Sequence, residues 1–229
     1  MKSKYITIFI FVLIVAVIAN LGITNINQAS NPVLGSDSKG TVTKDIYSHS
    51  GNSDHKIAII TGMHPREVSS KEVVPEVIKE YTAKHNVEIV NYQINVTDQP
   101  GNYQIGRNNG EALVAKYVIP DIKKSNYDMV IICHNHIQSY GDGYYIATPT
   151  MDNKSVDLAM KTHNLLPDFN YYQRNVNQIP DRSSIKGVDY PIVATGTPVF
   201  VYEIPGDAGN NEVYYNTNRL IDSVFKVIG

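Results

Sequence analysis

Residues 57–67, IAIITGMHPRE, decide the reading of this chain: an apolar run ends at Thr61, Gly62 follows, and His64 and Glu67 stand three residues apart. A short apolar run bounded by a glycine is the pattern of a buried strand. An imidazole and a carboxylate at the exit of such a strand sit on a rigid support and form half of a Zn²⁺ site, because zinc favours N, O and S donors. The rest of the chain must supply a third ligand and a base.

Two further apolar runs do so. Residues 128–133, DMVIIC, deliver His134, with Asn135 and His136 after it, and residues 198–204, PVFVYEI, carry Glu203 inside an otherwise apolar stretch. Each polar residue stands at or near the carboxyl end of a strand, the edge at which open α/β sheets bind ligands. His134 and His136 compete for the third ligand position, since residues two apart on a strand point the same way. The strand end favours His134, which leaves His136 to face substrate. Three protein ligands without cysteine, with a fourth position open, are the pattern of a catalytic zinc, one per chain. A carboxylate such as Glu203 is costly to bury unpaired and so needs a partner or a function.

Around these runs, strand and helix signals alternate. Residues 69–85 and 110–124 are apolar-periodic and predict helices, the second kinked by Pro120. Residues 87–96, VEIVNYQINV, alternate as a half-buried strand does, and 144–148 predict another strand. Helices follow over 155–165 and 211–227, with an irregular stretch over 170–190. The alternation predicts an α/β fold, a mixed and mostly parallel sheet covered by helices on both faces.

The ordered set His64, Glu67, Arg107, His134 and Glu203 resembles the zinc carboxypeptidase family, including its aspartoacylase and succinylglutamate desuccinylase branch. That family reads H-x-x-E after one strand, a third zinc His at the end of a later one, and a catalytic Glu in a late strand. Gly106-Arg107-Asn108 resembles the family's Asn-Arg carboxylate-binding motif, with Gly in place of Asn, and Asp189-Tyr190 resembles its D-Y segment. The resemblance implies a compact zinc hydrolase. His64, Glu67 and His134 would hold the metal, Glu203 would act as general base, and Arg107 would clamp a substrate carboxylate through its planar fork. Asn108, Arg182 and His136 join the expected substrate-binding residues, with Arg66 in reserve. The expected reaction is hydrolysis of an amide bond next to a carboxylate-bearing residue. Its two alternatives are deacylation of N-acyl amino acids and carboxylate binding without turnover.

The N-terminus has Lys2 and Lys4 before an apolar run over residues 5–19, the pattern of a signal peptide or an N-terminal membrane anchor. It predicts an extracytoplasmic protein, secreted or tethered to the outer face of the membrane. Residues 20–52, rich in Asn, Ser, Gly and Thr, read as a flexible linker, and 53–229 as the zinc hydrolase domain. With 20 basic and 22 acidic residues, the net charge of −2 offers no basic footprint for nucleic acid. The single cysteine, Cys133, excludes an internal disulfide framework, so packing and metal must stabilise the fold.

Overall fold

In the computed structural model, which describes residues 32–49, 53–178 and 183–229, one eight-stranded sheet runs in the order β1-β2-β4-β3-β5-β8-β6-β7. Its strands are β1 Val33–Asp37, β2 Gly40–Ser48, β3 Lys56–Thr61, β4 Glu88–Val96, β5 Met129–His136, β6 Tyr145–Thr148, β7 Asn170–Gln173 and β8 Val199–Pro205. The middle strands β4, β3, β5 and β8 are parallel; β2 and β6 flank them antiparallel, and β1 and β7 close the edges. The mixed sheet expected from the sequence is therefore the observed one.

Alternation along the strands sorts side chains into two cores. Met129, Ile131 and Cys133 of β5 share one face with Phe200, Tyr202 and Ile204 of β8, covered by helices α1 Val68–Thr82, α4 Asn153–Asn164 and α6 Asn210–Ile228. Val130, Ile132, Val199 and Val201 share the other, under α2 Tyr103–Leu113, α3 Ile119–Ile122 and α5 Tyr190–Val193. Helix α6 presents Val213, Leu220, Ile221 and Val224, all buried at helical spacing, and side chains of this size contribute about 1.5–3 kcal/mol each on burial. By the same alternation, His134 and Glu203 lie on the face of α2, and they are direct register partners on adjacent strands.

Helix α2 does not break where Pro120 was expected to kink it. It widens into a π-turn over Val114–Val118, and Pro120 falls in the first turn of α3, where its missing N–H costs little. The expectation of a flexible linker over 20–52 is corrected for residues 33–48, which form the β1–β2 hairpin and add two strands to the sheet. The reason lies in the pattern rather than the composition. In β2, Val42 is buried at one core and Tyr47 at the other, while Thr41, Thr43 and Ser48 beside them stay only half-buried. Lys116 and Tyr117 pin the hairpin from outside through Asp37 (2.8 Å) and the Ser36 carbonyl (2.9 Å). The expected signal peptide or anchor, residues 1–19, lies outside the described residues, among which no helix is long and apolar enough to cross a membrane.

Two glycines bring the edge of the sheet together. Gly62 leaves β3 with φ +70°, where a Cβ would stand 2.5 Å from the Ile94 carbonyl oxygen. At Gly110 a Cβ would stand 1.7 Å from the Met63 carbonyl oxygen, so α2 reaches the loop after β3 only because this residue is glycine. We expect Gly110→Ala to force the two apart and destabilise the protein by roughly 1–3 kcal/mol. A thermal melt unchanged within about 1 °C would show that the helix can shift freely.

Candidate metal centre

The turn after β3 builds the first half of the site. The Glu67 amide donates to the His64 carbonyl at 3.0 Å, which places the two side chains beside each other. Asn135, in β5, accepts a hydrogen bond from the Ser70 amide at 2.9 Å and so caps the start of α1, tying the turn to the strand that carries His134. Glu67 then spans the two rings: Oε1 is 2.7 Å from His64 Nδ1 and Oε2 is 2.7 Å from His134 Nδ1. The rings stack at 4.4 Å, and donor atoms of all three residues lie within 4.8 Å of one another. Two imidazole nitrogens and a carboxylate converging in a buried site fit a zinc ion in chemistry and number.

The electrostatics agree with the geometry. Burial alone would raise the Glu67 pKa, but His134 and His64 outweigh it and hold the carboxyl at about 2. For His134, burial works against the charged ring, yet Glu67 beside it, with Glu203 and Asp189 further off, pushes its pKa up to about 9. A cluster so rich in carboxylates attracts cations.

His136 takes a different place from His134. Its Nε2 is 2.9 Å from the Gly143 carbonyl oxygen and its ring packs against Tyr145 at 4.8 Å, while it lines the cavity beyond the cluster. Glu203 stands across from His134 and makes no hydrogen bond or ion pair among the described residues. Burial raises its pKa against the pull of His134. Arg107, on α2, brings Nη1 to 3.1 Å from His64 Nδ1 and 3.7 Å from Glu67 Oε1, with its guanidinium over the Tyr103 ring at 5.4 Å. Arg66, in the turn after β3, reaches the same ring at 5.8 Å.

Asn108 is a correction. Each helical residue turns by about 100°, so on α2 it faces away from Arg107's side, where it accepts from Gln104 at 2.9 Å outside the cavity. Arg182 lies outside the described residues. Sequence reasoning also missed Glu111, one turn after Arg107 on the same helix face. Its Oε1 is 3.4 Å from His64 Nε2, so a carboxylate backs the ring on the side opposite the cluster and fixes its orientation. The i, i+4 pairing with Arg107 was the available signal.

These groups open into one cavity of about 1100 Å³, with Tyr140, Tyr145 and Tyr172 on its walls. Neither a protein-family model nor a curated protein sequence matches the chain. Solved structures do. A metallo-carboxypeptidase from Burkholderia cenocepacia superposes with a TM-score of 0.63 at 12% identity, over 90% of this chain and 66% of that one. A metallo-carboxypeptidase from Pseudomonas aeruginosa, in complex with (2-guanidinoethylmercapto)succinic acid, gives 0.60 at 11% identity, over 93% and 68%. The product-bound cell shape determinant protein Csd4 from Helicobacter pylori gives 0.51 at 10%, over 81% and 54%. The chain spans about two thirds of the length of the first two. It has the fold of the metallo-carboxypeptidases, and its His64, Glu67 and His134 cluster lies at the carboxyl edge of the parallel strands.

Proposed function

We propose that this protein is a zinc-dependent hydrolase of carboxypeptidase type, which cleaves an amide bond next to a carboxylate-bearing residue. The observation that carries this reading is the pairing of the three-residue donor cluster with an unpartnered Glu203 on the neighbouring strand, both facing one cavity. A zinc ion held by His64, Glu67 and His134 would supply a Lewis acid able to acidify a water molecule and polarise a carbonyl. Glu203 accepts the proton from the attacking water and passes it to the leaving nitrogen, a role suited to a carboxylate whose pKa is raised by burial. Glu111 and Asn135 keep the histidine side and the turn in place. Arg107 binds the substrate's carboxylate or its developing oxyanion.

The apolar N-terminal run supports an exported protein and hence peptide substrates outside the cytoplasm, cell-wall peptide among them. The succinic acid portion of the ligand in the Pseudomonas relative accords with a carboxylate-reading cavity. Hydrolysis of short peptides and N-acyl amino acids by the zinc-loaded protein tests the proposal. Release of a free C-terminal residue supports it, and no turnover of either class would refute it.

Arg107 has its own test. Arg107→Lys keeps the charge and loses the planar fork, so kcat/KM should fall by roughly 10- to 100-fold for substrates with a free carboxylate. The fall should be much smaller for their amides. An equal loss for both assigns Arg107 to the oxyanion.

A further inference from the structure

Arg174 stands just after β7, half-buried on the wall of the cavity. Its guanidinium donates to oxygens of three separate segments. Nε reaches the Pro149 carbonyl after β6 at 2.7 Å, Nη1 the Asn175 and Gln178 carbonyls at 3.0 and 2.6 Å, and Nη2 the Tyr190 hydroxyl at the start of α5 at 3.0 Å. All of these oxygens are neutral, and among the described residues the guanidinium has no carboxylate partner. Only a planar fork with five N–H groups meets so many acceptors at once; a lysine ammonium is a single point on a flexible stem. The segments it joins are the wall itself, since Gln173, Asn175 and Gln178 on one side and Ser184 and Ile185 on the other line the cavity. Residues 175–178 form a turn, closed by the Gln178 amide on the Asn175 carbonyl at 3.1 Å and by the Asn177 amide on Asn175 Oδ1 at 3.0 Å. All four residues of the turn are exposed, Val176 by 64%, so burial does not hold it in place, and the bonds from Arg174 tie it to the end of β6 and to α5.

We propose that Arg174 is a positioning residue, which holds this wall of the cavity in shape and so sets the affinity for substrate without taking part in the chemistry. The inference rests on the hydrolase reading. The zinc-ligand candidates and Glu203 are carried by the turn after β3 and by β5 and β8, so a loosened wall leaves them where they are. Contacts between wall and substrate form on binding and persist into the transition state. Their loss weakens binding uniformly, which raises KM and leaves kcat in place.

The test compares Arg174→Ala and Arg174→Lys with the wild type in the zinc-loaded full chain, on a short peptide or N-acyl amino acid that the wild type cleaves. Arg174→Ala should raise KM by on the order of 10- to 100-fold, with kcat kept within about threefold and zinc content unchanged. Arg174→Lys should recover little of the loss, whereas ethylguanidinium added to the Ala variant, where it replaces the missing fork, should restore part of the affinity. An unchanged KM, a loss carried by kcat, loss of zinc, or full recovery by Lys overturns the inference and leaves the hydrolase reading intact. If the wild type cleaves nothing, the hydrolase reading fails by itself, and amide hydrogen exchange decides whether Arg174 holds the wall. Arg174→Ala should then speed exchange at Asn177 and Gln178 by about tenfold or more while residues 57–61 and 129–136 keep their wild-type rates. Wild-type rates at the turn, or equal acceleration throughout the chain, overturn it.

Discussion

Glu203→Gln should lower turnover by roughly two to four orders of magnitude while leaving zinc content at the wild-type level. The substitution keeps the size and shape of the side chain and removes only the ability to take a proton. Glu203 lies outside the donor cluster, so the metal does not depend on it. Its raised pKa, caused by burial, also sets the acid side of the pH profile: kcat/KM should fall as pH drops through a value above the ordinary carboxylate range, because the base is then protonated. Steady-state kinetics with metal analysis of the same sample check both statements. Loss of zinc in the Gln variant would make Glu203 a ligand.

His64→Ala and His134→Ala should each abolish stoichiometric zinc binding, whereas His136→Ala should keep most of it, because His136 is engaged with the Gly143 carbonyl away from the cluster. The binding must also depend on pH. His134 holds its proton up to about pH 9 in the metal-free protein, and zinc must displace that proton. Apparent affinity should therefore weaken by about tenfold for each unit that pH falls below 9. The stability of the metal-free protein runs the other way. With the His134 pKa raised above its unfolded value of 6.5, its contribution is complete below pH 6.5 and disappears as pH rises through about 9. Zinc titrations and thermal melts between pH 6 and 9 should thus show opposite slopes; parallel slopes would remove His134 from the first set of ligands.

The site was legible where polar residues interrupt apolar strands. His64, Glu67, His134 and Glu203 stand out because VIIC and VFVY leave no other reason for a charged or titratable neighbour at the strand end. Helices hide such residues better. Glu111 sits among ordinary amphipathic spacing, and Asp189 lies in a stretch that reads as irregular, so only packing reveals that both carboxylates are buried. Asn108 went wrong for a related reason: its segment read as a turn beside Arg107, and the helix that forms instead rotates it out of the cavity. The β1–β2 hairpin was concealed by composition, since Thr, Lys and Ser of β2 resemble a tether until their alternation with Val42, Ile46 and Tyr47 is counted. Glycines 62 and 110 could be read as turn residues, but their closeness to the Ile94 and Met63 carbonyls is a property of the assembled sheet edge.

The central claim is that the His64, Glu67 and His134 cluster makes this protein a zinc-dependent hydrolase. The most direct measurement is a zinc titration of metal-free protein with peptide hydrolysis as the readout. The rate should start near zero, rise linearly and level off at about one zinc per chain. Full hydrolysis before any zinc is added, or none at saturating zinc across peptides and N-acyl amino acids, would contradict it.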